Sequence, residues 1–461
     1  MRSRVNAVHS TLFSIAAAMS ACTGADAPSA TSVDVTNPPV AATKISTQAA
    51  VVGNNISFDA TLAGAAFSGQ SLTYSITFPS GANGLSASNG RITGTPATPA
   101  VVPVQITATN ARGETASQQF SVVAFAPGLT SPNLPAASFK YSDASSPLVP
   151  WYNGVSDNTP VTNQTTDAGA TLGRVLFYDT RLSANDGTSC ASCHIQKFGF
   201  ADTTRLSTGF NGGHTDRHAM ALGNARFYQR GRFFWDERAA TLEDQVLQPI
   251  QNAVEMGMTL TNLTTKLNAT PYYGPLFTAA FGTSEITSDR ISRALAQFVR
   301  SLVTSGSRFD ASFATAPPNF SNLTAQEQLG FQLFTGVAGC AACHGTPANI
   351  SDDIHNNGLD ATVTDVGAGQ GRFKAPSLRN VAVRSPYMHD GRFRTLPEVV
   401  AFYNTGVQDN PNLDRRLRGP NGGVKRLNLT LAESNALVAY LGTLTDSSFL
   451  TAAKFSDPYP H

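Results

Sequence analysis

The chain has 461 residues, too many for one domain at about 100–200 residues each and enough for two or three. Its 32 Lys and Arg nearly balance 31 Asp and Glu, and a net charge of +1 argues against a nucleic-acid surface or a polybasic membrane anchor as its main business. A hydrophobic content of 41% excludes wholesale disorder, and five cysteines, an odd number, ask for more than disulfides.

In chain order, Arg2 and Arg4 precede an apolar run from Leu12 to Ala18 that ends in Met19-Ser20-Ala21-Cys22. Residues 1–21 thus read as a secretory signal, too short for a membrane span of about 20 apolar residues. Small residues ahead of Cys22 resemble a bacterial lipobox, with Met19 where Leu is commoner. Lipid on Cys22 would make the protein a periplasmic or outer-membrane-associated lipoprotein; the alternative is ordinary cleavage near Ala21 with an incidental thiol. Residues 22–43, mostly small and polar, read as a linker. Over 44–127 the pattern becomes alternating: Leu72, Tyr74, Ile76 and Phe78 in one run, Val104, Ile106 and Ala108 in another. With turn signals at Asn89-Gly90, Gly94-Thr95-Pro96 and Arg112-Gly113, this predicts an all-β sandwich. The stretch from Gly84 to Pro96 resembles bacterial immunoglobulin-like domains. Lacking Cys, His and Trp, it fits a spacer or docking module.

The remaining cysteines form Cys190-Ala191-Ser192-Cys193-His194 and Cys340-Ala341-Ala342-Cys343-His344. In c-type haem attachment the two thiols form thioethers with the haem vinyls, and the adjoining His ligates the iron. Zinc would need a second ligand pair near each motif, and no cysteine is left to provide one. Two covalently bound haem c groups are therefore expected. Thr324-x-x-Glu327, Thr395-x-x-Glu398 and Thr430-x-x-Glu433 read as capping boxes, and Ile291, Leu295, Phe298 and Leu302 have helical spacing. These signals predict two mainly α-helical halves, 135–318 and 319–450, meeting near Thr315-Ala316-Pro317-Pro318.

Several blocks in order carry a resemblance. They are Leu172 to Asp179, Phe234-Trp235-Asp236-Glu237-Arg238-Ala239, Val254 to Met258, Phe373 to Asn380 and Pro386-Tyr387-Met388-His389-Asp390-Gly391. Over about 310 residues the chain resembles bacterial di-haem cytochrome c peroxidases and the related MauG-type enzymes. The resemblance implies two cytochrome-c-like domains behind the β-module. The N-terminal haem would reduce hydrogen peroxide, and the C-terminal haem would relay electrons from a small c-type cytochrome, a cupredoxin or a protein substrate. It further implies Glu255 as acid–base group, assisted by Gln245, with Pro249 shaping the pocket and Trp235 relaying electrons between haems. Read alone, Glu255 and Gln245 fit a solvated helix face and Trp235 a core position. Arg226, Arg230, Arg232 and Arg238 fit propionates and interdomain ion pairs.

For the second haem, Tyr403 stands where the peroxidases place a ligating Met, as in MauG-type enzymes. Met388 is the alternative, and His355, His389 and His461 are the other candidates in this half. Tyrosine should favour higher iron oxidation states, whereas Met raises the potential. His214 and His218 lie in the loop whose His caps the first haem in resting peroxidases, but neither aligns cleanly. The resemblance leaves calcium open, because the positions matching the family's calcium ligands are His218 and Arg384. Alternative functions are a MauG-like oxidase of a partner protein and a non-enzymatic di-haem electron carrier.

Overall fold

A computed structural model describes residues 38–125, 131–143, 150–152, 154–350 and 353–459. The secretory signal, Cys22, most of the linker and His461 lie outside the described residues.

Alternating side chains build the first module. Its strands are β1 (Val40–Ala41), β2 (Gln48–Val51), β3 (Ile56–Asp59), β4 (Phe67–Ser68), β5 (Thr73–Thr77), β6 (Leu85–Ser88), β7 (Arg91–Gly94), β8 (Ala100–Thr109) and β9 (Thr115–Phe125). One sheet runs β2-β9-β8-β5, with β2 parallel to β9, and the other runs β3-β7-β6. Their shared core takes Ile92 from β7, Val102, Val104, Ile106 and Ala108 from β8, and Val122 from β9. The expected alternation along β8 is thus an in-and-out alternation about a sandwich core. The expected linker, 22–43, differs at its described end: β1 pairs with β4, and Ala42 and Thr43 donate to Ala66 and Ala65. Backbone pairing needs no large side chain, so composition did not show it. Gly90 needs its positive φ of 77° and lies where a Cβ would meet Thr61 Cγ2 at 2.3 Å.

The module seats directly on the helical part. Phe125 stands 6.0 Å from Tyr272, ring to ring, and Val123 and Phe125 join the first helical core. That core is built on α1 (Asp167–Tyr178), α2 (Cys190–Cys193), α3 (Leu242–Gln251), α4 (Leu260–Asn268), α5 (Tyr273–Phe281) and α6 (Ser288–Ser301). Thr166, Thr241, Thr259 and Thr287 cap α1, α3, α4 and α6 with their side-chain oxygens. At Gly173, α1 presses on α6 so closely that a Cβ would meet the Ala294 carbonyl oxygen at 2.0 Å.

The second half repeats the device. After α7 (Arg308–Ala311) come α8 (Ala325–Thr335), α9 (Ala341–His344), α10 (Leu396–Ala401), a π-turn at Phe402–Gly406, and α11 (Leu431–Thr443). The expected capping boxes at Thr324, Thr395 and Thr430 all form. At Gly330, α8 meets α11 where a Cβ would lie 2.0 Å from the Ala436 carbonyl oxygen. Between the halves, Arg379 donates to Asp310 at 2.6 Å with both side chains buried.

The expected second half, 319–450, closes differently from its sequence bounds. α12 (Ser447–Thr451) and the residues to 459 return to the first half, where Phe449 and Phe455 join its core. Tyr178 Oη donates to the Phe455 carbonyl at 2.7 Å and Arg174 Nε to that of Ser456 at 2.6 Å. Among the described residues no helix is long and apolar enough to cross a membrane.

Candidate active site

The first CxxCH motif is a single turn, α2, started by Ser189, whose side chain and that of Ser192 form a capping box. The turn puts Cys190 and Cys193 on one side and hands the chain to His194. His194 Nδ1 lies 3.0 Å from the Phe200 carbonyl oxygen, which fixes the imidazole and leaves Nε2 for a metal. The second motif copies this, with His344 Nδ1 3.2 Å from the Asn349 carbonyl. Burial pushes the thiols up, to about 12 for Cys190 and Cys340 and about 11 for Cys193 and Cys343. A buried, largely apolar setting of this kind accepts thioethers. Burial also pushes both histidines down, His344 to about 4, which keeps each neutral and able to ligate. Cys190, Cys193 and His194 would hold one haem, and Cys340, Cys343 and His344 the other.

Beside the first motif, Asn252 Oδ1 accepts the backbone N–H groups of Val254 and Glu255, and Phe210 N–H donates to the Glu255 carbonyl. The facing loop fits only because residue 209 is glycine; a Cβ there would meet the Val254 oxygen at 1.7 Å. Glu255 is held half-buried on this turn. Burial raises its carboxyl above the ordinary range, Asp216 adds to that and Arg238 opposes it. Its charge acts on both Cys190 and Cys193. Gln245 and Pro249 lie four apart on α3, just before this turn, with Gln245 half-buried. No hydrogen bond joins Gln245 to Glu255 among the described residues.

A cavity of about 220 Å³ opens beside the second motif, lined by His344, Tyr403, Met388, Trp235, Lys374 and Arg384 among others. Trp235 is only 9% exposed; its Nε1 donates to the His218 carbonyl at 2.8 Å, and its ring stands 6.4 Å from that of His389. Met220 lines the same cavity, and its carbonyl acts on His194. The 218–220 loop therefore touches both attachment regions, with Trp235 on its second-haem side. Tyr403 rides the π-turn, and burial pushes its phenol up to about 12. Asn357 Nδ2 lies 3.3 Å from Tyr403 Oη and 3.6 Å from Met388 Sδ, so both candidate ligands reach one spot. His355 also lines the cavity, with Asp414 2.6 Å from its Nδ1.

His218 lines this cavity and its Nδ1 meets the Thr204 carbonyl, whereas His214 is exposed beside Thr208. Arg384 places a buried guanidinium at one of the two positions that bear on calcium, donating to the Ser377 carbonyl. Among the described residues no group of three or more His, Cys, Asp or Glu gathers that could hold a metal ion. Of the interleaved arginines, Arg226 pairs with Asp157, Arg230 with Glu237 and Asp353, and Arg238 with Asp236, whereas Arg232 Nε donates to the Glu237 carbonyl. Sequence reasoning missed Asn357 and Lys374. Nothing local marks Asn357, while Lys374, inside a quoted block, is buried only in three dimensions, its Nζ donating to the Arg232 carbonyl over the Tyr228 ring.

A family model for di-haem cytochrome c peroxidase matches residues 167–316, and an Ig-domain model matches 38–124. The methylamine utilization protein MauG of Methylorubrum extorquens is 36% identical over 296 residues, covering 62% of this chain and 80% of that protein. The cytochrome c551 peroxidase of Nitrosomonas europaea is 35% identical over 244 residues, covering 50% and 71%. Among solved structures, a MauG-like protein associated with microbial copper homeostasis superposes with a TM-score of 0.58 at 32% identity, covering 66% of this chain and 96% of that one. The di-haem peroxidase BthA of Burkholderia thailandensis shares the fold, with a TM-score of 0.54 at 24% identity over 71% and 98% of the two chains.

Proposed function

The chain belongs to the di-haem cytochrome c peroxidase and MauG family, and from that premise we propose that it reduces hydrogen peroxide at the first haem with Glu255 as proton carrier. Bound haem supplies the iron position at which the O–O bond breaks. Glu255 takes the proton from the near peroxide oxygen and returns it to the departing one, so that two electrons and two further protons yield two waters. The carrying observation is its placement: a half-buried carboxyl on a turn that Asn252 and Phe210 hold beside the first motif, lifted by burial. Gln245 orients the peroxide, Trp235 links the haem sites, and electrons enter at the second haem from a small c-type cytochrome, a cupredoxin or a protein substrate. Export with a lipid on Cys22 belongs to the same proposal and rests on the sequence alone. The test is peroxide turnover of Glu255→Gln with both haems loaded. We expect a loss of about 10²–10⁴, as for removal of a general acid–base group; unaltered kinetics would refute the role.

One observation favours a MauG-like oxidation of a partner protein. Tyr403 reaches the cavity beside the second motif and is steadied there by Asn357. To ligate it must shed a proton that burial holds, and a bound iron supplies that driving force. A Tyr403→Phe variant with an unchanged second-haem spectrum would overturn this ligation and leave Met388.

A further inference from the structure

Away from the site just described, the first helical half buries a cluster of phenols around one carboxylate. Asp179, 2% exposed, follows α1 directly, and its Oδ2 accepts from Tyr273 Oη at 2.5 Å and Tyr272 Oη at 3.0 Å. The Tyr272 and Tyr273 rings are 4.6 Å apart, and Tyr272 Oη lies 2.9 Å from Tyr459 Oη. Arg181 completes the group, donating to Tyr272 Oη at 2.6 Å and pairing with Asp179 at 3.2 Å. Tyr273 is fully buried, whereas Tyr459 is partly exposed. Burial raises all three phenols above their ordinary range, so at neutral pH each keeps its proton.

Local structure requires much less than this. Asp179 already caps the turn at Thr180–Leu182 through Arg181 N–H and has its ion pair. Two further phenols aimed at the same oxygen give it what an oxidisable tyrosine needs, a base within a hydrogen bond. A chain of contacts also joins the cluster to the first attachment region. His194 holds the Phe200 carbonyl, the Phe200 ring is 5.9 Å from that of Phe177, Phe177 is 5.2 Å from Tyr178, and Tyr178 adjoins Asp179.

We propose that Tyr273, Tyr272 and Tyr459 with Asp179 form a hole-accepting site, through which oxidising equivalents that no donor has met leave the first haem site for the surface. The inference rests on the peroxide chemistry proposed above. In the first step one electron passes from the Tyr273 phenol to the haem site, and its O–H proton passes to Asp179 Oδ2. A neutral tyrosyl radical and a protonated carboxyl remain. Tyr272 then returns an electron to Tyr273, which regains the proton from Asp179 as Tyr272 surrenders its own to the same oxygen. Finally Tyr459 gives a hydrogen atom across the Oη to Oη contact, leaving the radical on the partly exposed ring.

The test reacts the full-length holoprotein with hydrogen peroxide in the absence of donor and freeze-quenches it for electron paramagnetic resonance. We expect a tyrosyl signal that narrows with ring-deuterated tyrosine and falls several-fold in Tyr272→Phe/Tyr273→Phe. Haem bleaching under repeated peroxide should quicken several-fold in that variant, with donor-coupled turnover unchanged. A haem spectrum that responds to peroxide while the tyrosyl signal is absent, or survives undiminished in the double variant, overturns this inference alone. Haem spectra indifferent to peroxide overturn it together with the proposed function. Should the double variant fail to load haem, Tyr459→Phe replaces it: an altered line shape supports the site and an unchanged one overturns it.

Discussion

In the first helical half Gly173 lets α1 cross α6 and the Phe200 carbonyl holds His194; in the second, Gly330 lets α8 cross α11 and the Asn349 carbonyl holds His344. The frames match at the level of backbone contact. What stands near the two CxxCH motifs does not match: a lifted carboxyl on a turn in one half, a tyrosine, a methionine and an amide in the other. Helix crossings and imidazole anchors are set by backbone contacts, whereas the side chains that differ sit on turns and loops.

Glu255→Gln should show that division at its widest. Its loss of about 10²–10⁴ in peroxide turnover should leave the absorption of the second haem unmoved. A change in both spectra would mean that the halves are not separable. Next come the crossings. Gly173→Val and Gly330→Val each force a side chain onto a backbone carbonyl and should each cost about 3 kcal/mol. Thermal unfolding and haem quantification should find the loss in the half that was altered, and equal loss in both halves for either variant would break the comparison. Tyr403→Met should then raise the potential of the second haem alone, as read by redox titration of its absorbance.

The smallest expected effect concerns pH. A carboxyl acting as proton acceptor must start ionised, and burial has raised the value for Glu255. Activity should therefore fall on acidification at a higher pH than an ordinary glutamate would give, and persist above it. Arg238 opposes the rise, so Arg238→Gln should move that acid limb further up. A limb that stays in place, measured as kcat/KM against pH, would place the titrating group elsewhere.

Much of this was legible in the sequence because the deciding forces were local. A CxxCH turn is written within five residues, and the alternation along β8 is the alternation of its pleat. Glu255, Tyr403 and Trp235 drew notice only through resemblance, since a Glu on a turn or a Tyr in a helix carries no mark of what it faces. Asn357 was silent because its partners, Met388 and Tyr403, lie 31 and 46 residues away. Gly173 sat in a quoted block, yet nothing there said that the Ala294 carbonyl would occupy the space of its missing Cβ. The return of 447–459 to the first core was equally hidden, because Phe449 and Phe455 suit any apolar surface.

That return bears on the order of synthesis. The half that leaves the ribosome first lacks Phe449, Phe455 and the backbone acceptors for Tyr178 and Arg174 until the last of these residues has been made. The second half has all of α8 to α11 by then. The core beside the earlier CxxCH motif is thus completed only after both motifs have been made, by a segment that packs Phe449 on Phe200.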